Sequence, residues 1–356
     1  MAYEPQPHSS GILAHVATAV IGVDLGGTNV RAGTFFEDGQ EAGPAFTNPS
    51  RAQEGTPAIM EAVSQTILQA AKASSVPPTA VGLAIPGHVD NQAGIVRWAP
   101  NFGEEVNGVF RHWKDVPIRE PLSKSIHVPI FMDNDANMAA LGEYRFGSGR
   151  NSAKCLVMLT LGTGVGGGVI LSPDAVLGDA RGPLVLVGGN KGGAELGHVI
   201  VAYQGLDCNA GHYGSLEAYC QRDGIIRRAQ HRITRGRATM ISEMVDNDLA
   251  QITPLTISEA ALKGDEVAIE IYEEVGTMLG VGMGSFINIF APDIIAVGGQ
   301  IAKAGDLILK AAIKTARNIA VESLFRDVTI LVAEQIEDAG MLGGAALALE
   351  GLKWQK

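Results

Sequence analysis

Asp24-Leu25-Gly26-Gly27-Thr28-Asn29-Val30-Arg31 is the stretch on which the fold turns. It separates two short apolar, β-branched runs, Thr18 to Val23 and Val30 to Phe36, which have the length and composition of buried strands. Two adjacent glycines let the backbone reverse tightly and leave N–H groups bare of side chains, an arrangement that receives phosphate oxygens. Thr28 adds a hydroxyl donor, and Asp24, at a strand end, can hold Mg²⁺ through water. Alone, the octet also reads as a hairpin turn with an incidental acid, since short glycine motifs recur by chance.

Outward from this turn, Asp38-Gly39 is a hairpin signal leading to a third strand near Ala42 to Thr47. Thr56 to Ala73 carries Ile59, Ala62, Val63, Ile67, Leu68 and Ala71 at helical spacing, and Ala80 to Ile85 is another apolar strand, ended by Pro86-Gly87. A similar order returns later: strand Lys154 to Leu161, a glycine-rich turn Gly162 to Gly168, a return strand Gly168 to Leu171, and a third strand at Leu184 to Val187. The long helical pattern Glu266 to Phe290 then precedes an apolar strand, Asp293 to Val297. Two such halves point to an internal duplication and an α/β protein of two lobes with a ligand cleft between them. The expected division is an extension over 1–17, a small lobe over 18–134 plus 340–356, and a large lobe over 135–339. The hinge is expected near Asp135 to Gly147, and the helix Gly343 to Leu352 is expected to pack back on the first lobe.

The second motif, Leu161-Gly162-Thr163-Gly164-Val165-Gly166-Gly167-Gly168, places five glycines in seven residues between good strands, as close approach of a bulky anion to the main chain requires. The third, Ala296-Val297-Gly298-Gly299-Gln300, follows a buried strand and precedes the helical run Leu307 to Ala316; its glycine pair could accommodate adenine or ribose. Asp135, in Asn134-Asp135-Ala136-Asn137, follows the apolar stretch Ile130 to Met132 and opens a helix-like run, Ala136 to Tyr144. On residue pattern alone it is a helix N-cap as readily as a catalytic acid–base group.

Composition narrows the field. At 356 residues with 46% apolar and 18% charged, the chain has the balance of a soluble globular protein of two domains. A net charge of −11 argues against nucleic acid as a main partner. Three cysteines, Cys155, Cys208 and Cys220, show no disulfide-framework spacing, so a reducing compartment, the cytoplasm, is expected. No signal peptide or membrane-spanning run is read, and Met1 to about Leu13 is aperiodic.

Together the three glycine motifs, DLGGTNVR, LGTGVGGG and IIAVGGQIA, resemble the two phosphate motifs and the adenosine motif of the actin-like (ribonuclease H-like) ATPase superfamily. More narrowly, from about Val20 to the C-terminus the chain resembles the ROK sugar kinases, especially their glucokinases. Trp98-Ala99-Pro100-Asn101, Asn134-Asp135-Ala136-Asn137, Glu195-Leu196-Gly197-His198 and Glu217 match that family's sugar-site segments in type and order. The resemblance implies ATP with Mg²⁺, and a hexose, glucose favoured, as substrate. It makes Asp135 the general base and gives the sugar hydroxyls to Gly87, Asn101, Asn134, Asp135, Glu195, His198 and Glu217. The nucleotide falls to Asp24, Gly26, Gly27, Thr28, Asn29, Arg31, Gly162, Thr163, Gly164, Gly298 and Gly299. Kinases for fructose, N-acetylglucosamine or N-acetylmannosamine, and a sugar sensor without catalysis, are the rival readings. A dimer or tetramer is expected, because the family often forms them.

The pattern departs from the family in two places. A zinc site of one His and three Cys is usual there, but here His198 and Cys208 remain while Ala210 and Ser215 stand at the other two positions. The site therefore reads as degenerate, with no structural zinc expected, although His212 and Cys220 are close enough in sequence to replace a ligand. The segment from Leu171 to Gly192 is also enlarged. The repressor branch carries an N-terminal helix-turn-helix; with the ATPase fold starting at about residue 18, none is expected here.

Overall fold

The computed structural model describes residues 18–150, 152–176, 182–189, 192–208 and 210–354. The expected extension over 1–17 lies outside the described residues, as does part of the enlarged segment before Gly192.

Strands β1 (Ala19–Leu25), β2 (Asn29–Phe36), β3 (Phe46–Pro49) and β4 (Pro78–Ile85) begin a sheet. A separate antiparallel sheet follows, of β5 (His88–Asp90), β6 (Ile95–Val106) and β7 (Val109–Pro117). β8 (Ile130–Asn134) then returns to the first sheet, whose order is β3-β2-β1-β4-β8. The second half contributes β9 (Cys155–Leu161), β10 (Val165–Leu171), β11 (Leu184–Val185), β12 (Ile294–Gly298) and β13 (Thr329–Val332), ordered β11-β10-β9-β12-β13.

Counted within each half, both sheets have the strand order 3-2-1-4-5. In both, the central strand is antiparallel to the second and parallel to the fourth, and the fourth is parallel to the fifth. The duplication expected from the sequence is thus a duplication of topology. The third strand of the first half starts at Phe46 rather than Ala42, because Gly43-Pro44 interrupts the run and Ala42 instead donates its N–H to Thr34 O at 2.7 Å.

The helices Thr56–Ala73 and Glu266–Phe290 have the limits their periodicity predicts. The first buries Ile59, Val63 and Ile67 against the first sheet; the second buries Ile271, Val275, Leu279 and Met283 in the core of the second half. A third apolar cluster lies between the two sheets. It is built from the helices Asp135–Phe146 and Ala339–Trp354 with Val20, Ala80 and Ala84 from one sheet and Leu156, Met158 and Ala296 from the other.

The last helix, longer than the predicted Gly343 to Leu352, packs on the first half at very close range. A Cβ at Gly22 would stand 1.8 Å from Met341 O, and one at Gly82 would stand 1.8 Å from Gly344 O, so only glycine lets helix and strands meet. Opposite, Gly142 and Gly343 let the two interlobe helices cross with little between them. Glu143 is fully buried at this crossing; its carboxylate accepts N–H groups of Ser148, Glu334 and Gln335 at 3.0, 2.9 and 2.9 Å. Helix Asp135–Phe146 is thereby tied to the segment that leaves β13 for the last helix. Among the described residues, no helix is long and apolar enough to cross a membrane.

Candidate active site

The ends of β4, β8, β9 and β10 converge on a cavity of about 880 Å³. Its wall includes Gly87, Asn101, Asn134, Asp135, Glu195, His198 and Glu217, so all seven residues assigned to the sugar lie in one space. Gly162, Thr163, Gly164 and Gly299 line it as well.

Asp135 is the first residue of its helix, and the cap is Asn134, whose Oδ1 accepts the N–H groups of Ala136 and Asn137 at 2.9 and 3.2 Å. The capping alternative for Asp135 is therefore taken by its neighbour. Asp135 accepts one N–H, from Ala136 at 2.8 Å, and otherwise faces the cavity. Burial, reinforced by the negative charges of Asp24 and Glu195 and opposed by the Ala136 N–H, pushes its carboxyl from 3.8 up to about 6. A carboxylate so poised is ionised at neutral pH yet accepts a proton readily, as a general base must.

Asn134 is more engaged than a free sugar ligand: besides capping, its Nδ2 donates to Gly87 O at 2.9 Å. Gly87 has φ 98°, and a Cβ there would stand 2.2 Å from Trp98 O, so the Pro86-Gly87 turn needs glycine. Asn101 is brought in by an irregularity of β6. Ala99 pairs with Trp113 but Gly103 with His112, so Pro100, Asn101 and Phe102 bulge from the ladder, with Asn101 exposed to the cavity and Phe102 buried beneath.

Glu195 and His198 open and close a short 3₁₀ turn. Glu195 Oε1 lies 3.4 Å from His88 Nε2 and its Oε2 lies 4.0 Å from His198 Nε2. Glu217 lies in a short helix whose N-cap, Ser215, accepts the Ala218 N–H; its own Oε2 accepts the Val165 N–H at 3.0 Å and so pins the second glycine turn.

The nucleotide assignments divide. Gly162, Thr163, Gly164 and Gly299 reach the cavity wall, whereas Gly298 is buried in β12 against Met158. The turn between β1 and β2 is closed by Gly26 N–H to Asn29 O at 2.8 Å and leaves Gly27, Thr28 and Asn29 exposed outside that wall. Arg31 is turned away, onto Asp338 at 2.6 Å and Glu337 O at 2.7 Å. Asp24 sits between this pair and Asp135; burial pushes its carboxyl above the ordinary range, Asp338 adds to the rise, and Arg31 opposes it.

Two features went unread in the sequence. His88 stands between Glu195 and the Trp98 ring, 5.6 Å away, and joins the two halves across the cavity mouth; its only signal was a titratable residue beside a strand-end glycine. A second cavity, of about 550 Å³, shares Gly162, Thr163 and Gln300 with the first and extends to Ser258, Tyr272 and Lys303. No local pattern joins residues so far apart in the chain.

The sequence pattern of the ROK family matches residues 20–351. The chain belongs to the ROK family. This ROK protein is 32% identical to the glucokinase of Thermotoga maritima, over 93% of its own length and 97% of that relative's. It is 26% identical to the xylose repressor of Caldicellulosiruptor bescii over 76% of its length and 63% of the repressor's. A crystal structure of a ROK family glucokinase from Streptomyces griseus, in complex with glucose and AMPPNP, superposes with a TM-score of 0.77 at 30% identity, covering 94% of this chain and 100% of that one. The architecture is the two-lobed, actin-like ATPase fold.

Proposed function

We propose that this ROK protein is an ATP-dependent glucokinase, transferring the γ-phosphoryl group of ATP to the 6-hydroxyl of D-glucose. The observation that carries the reading is Asp135: a carboxylate at the floor of the cavity, relieved of capping by Asn134 and poised near pH 6. Asp135 accepts the hydroxyl proton as the sugar oxygen bonds to the γ-phosphorus. The bond from that phosphorus to the β-phosphate bridging oxygen breaks, and ADP leaves. Asn101, Glu195, His198 and Glu217, with the Gly87 backbone and Asn134, hold the sugar hydroxyls. The Gly162–Gly164 turn faces the phosphates, and the second cavity, which opens past Thr163 and Gln300, suits the adenosine end. Mg²⁺ would neutralise phosphate charge when bound with ATP, and Asp24, a half-buried carboxylate beside Asp135, would hold it through water.

Several further parts belong to this reading: a small lobe of 18–134 plus 340–356, a large lobe of 135–339, a cytoplasmic location, and assembly as a dimer or tetramer. The glucokinase named among the relatives supports glucose; the repressor relative keeps a non-catalytic sugar sensor as the alternative. Coupled ADP release over glucose, fructose, mannose, N-acetylglucosamine and N-acetylmannosamine decides between them. Glucose should give the highest kcat/KM. Calorimetric sugar binding with no sugar-dependent ADP release would establish the sensor instead.

A further inference from the structure

We propose that Asp133 is a positioning residue for the phosphoryl transfer, fixing the roll of the helix that carries Asp135 and tying that helix to the hairpin that holds the sugar. The inference rests on the reading of Asp135 as general base and deepens it. Side chains alternate along β8, so Asp133 shares a face with Phe131 and, across the ladder, with Ala84, both packed in the apolar cluster between the sheets. A carboxyl group only 3% exposed on such a face is costly to keep unless donors surround it.

Three donors do. Oδ1 accepts the Asn134 N–H at 2.7 Å and an Asn137 Nδ2 hydrogen at 3.2 Å, and Oδ2 accepts from Asn91 Nδ2 at 3.2 Å. Asn134 caps the helix Asp135–Phe146, so the first bond fixes the peptide from which that helix starts. Asn137 lies two residues beyond Asp135, and at about 100° per residue the two side chains leave the helix about 200° apart. With Asn137 buried and held on Asp133, Asp135 is turned to the other side, toward the cavity. Among the described residues, the bond to Asp133 is the one hydrogen bond that the Asn137 side chain makes.

Asn91 brings in the third piece. It stands in the turn between β5 and β6, the hairpin that begins beside Gly87 and carries Asn101. Arg119 fastens the same turn to the start of β8, donating to Asn91 O, to Gln92 O at 3.1 Å and to Ile130 O at 3.0 Å. The hairpin is thus held near both ends of β8, by Arg119 at Ile130 and by Asp133 beside Asn134. Asp133 and Asn91 both lie outside the cavity wall, yet they set the position of the base relative to the residues that hold the sugar. Phosphoryl transfer needs the hydroxyl, the phosphorus and the base aligned, and a displacement of about 1 Å costs up to about 10²-fold in rate.

Steady-state ADP release with glucose tests this, on intact variants checked for folding by circular dichroism. Asp133→Asn keeps the size but turns one acceptor into a donor facing other donors. Its kcat should fall about tenfold or more, while KM for glucose and for ATP stays within about threefold. Combining it with Asn91→Asp restores one amide and one carboxylate at the contact, and should raise kcat at least about threefold above that of Asp133→Asn alone. The acid limb of kcat/KM should stay near pH 6, because Asp24 and Glu195 supply the charges that raise Asp135. A limb lowered by about a unit or more would make Asp133 a charge that tunes the base, and would overturn the positioning role. If Asp133→Asn does not fold, Asn91→Ala and Asn137→Leu carry the test, each removing one bond and each lowering kcat at least about threefold with KM unchanged. A merely structural role would lower stability and leave the kcat of folded protein alone. Folded variants with wild-type kcat, beside an Asp135→Asn protein that has lost its activity, overturn this inference and leave the base in place. An active Asp135→Asn protein, or wild type without sugar-dependent ADP release, overturns the reading and the inference together.

Discussion

Replacing Asp135 by Asn should separate activity from stability. Asn keeps the shape and an Oδ1 to accept the Ala136 N–H, now at 2.8 Å, but cannot take a proton. Loss of a general base costs about 10²- to 10⁴-fold in kcat. Stability should move the other way. The folded carboxyl titrates at about 6 against an ordinary 3.8, so the folded state holds this proton more tightly than the unfolded chain does. Asp135 therefore costs nothing below pH 3.8, costs progressively more as pH rises to about 6, and costs its full amount above that. At 1.36 kcal/mol per unit the full amount is at most on the order of 3 kcal/mol. Asp135→Asn should accordingly be the more stable protein at pH 8 by up to that amount, with the gain gone near pH 4. Urea unfolding at several pH values measures it, and coupled ADP release measures kcat. Wild-type kcat/KM should fall tenfold per pH unit below about 6. A variant retaining more than a tenth of kcat, or one that loses stability at pH 8, would refute the assignment of Asp135 as an ionised, half-buried base.

Three other outcomes are expected. His88→Ala removes the contact to Glu195 and should raise the glucose KM roughly two- to tenfold while lowering kcat by less than about threefold in steady-state assays; an unchanged KM would make the pair incidental. Glu143→Ala removes the acceptor of three part-buried N–H groups and should cost roughly 1–3 kcal/mol in urea unfolding, a loss under about 0.5 kcal/mol counting against its anchoring role. Glucose should lower the radius of gyration in solution scattering and protect the segments flanking helix Asp135–Phe146 from protease, with ATP alone doing less; an unchanged profile at saturating glucose contradicts closure around the cavity.

Elements written in local pattern were readable. The apolar periodicity of Thr56–Ala73 and Glu266–Phe290 sets their ends, and the glycine turns after β1 and β9 identify the two halves. The sheet of β5, β6 and β7 was not recognised. Pro100 and the bulge around Asn101 break the alternation of β6, and β7 exposes Val109 and Phe110 among Arg111, Lys114 and Asp115. One signal was available: Asn107-Gly108, both at positive φ (55° and 76°), is the strongest two-residue hairpin pattern. Residues near a motif, such as Asp135 and His198, could be placed at the cavity from it. That His212 lies beside Cys208 while Cys220 points to Val275 follows from the turn at Asp207–Tyr213, which no local pattern announces.

The helix Ala339–Trp354 lies against β1 and β4, which leave the ribosome long before it does. During synthesis the strands around Gly22 and Gly82 must wait, with one apolar face uncovered, until the helix Ala339–Trp354 has been made. The second half, by contrast, carries its own core from Cys155 to Val332 and closes without such help. The half encoded first is therefore the half completed last, so nascent chains stalled before about residue 339 should present the Val20, Ala80 and Ala84 face to chaperones while their second half is already folded.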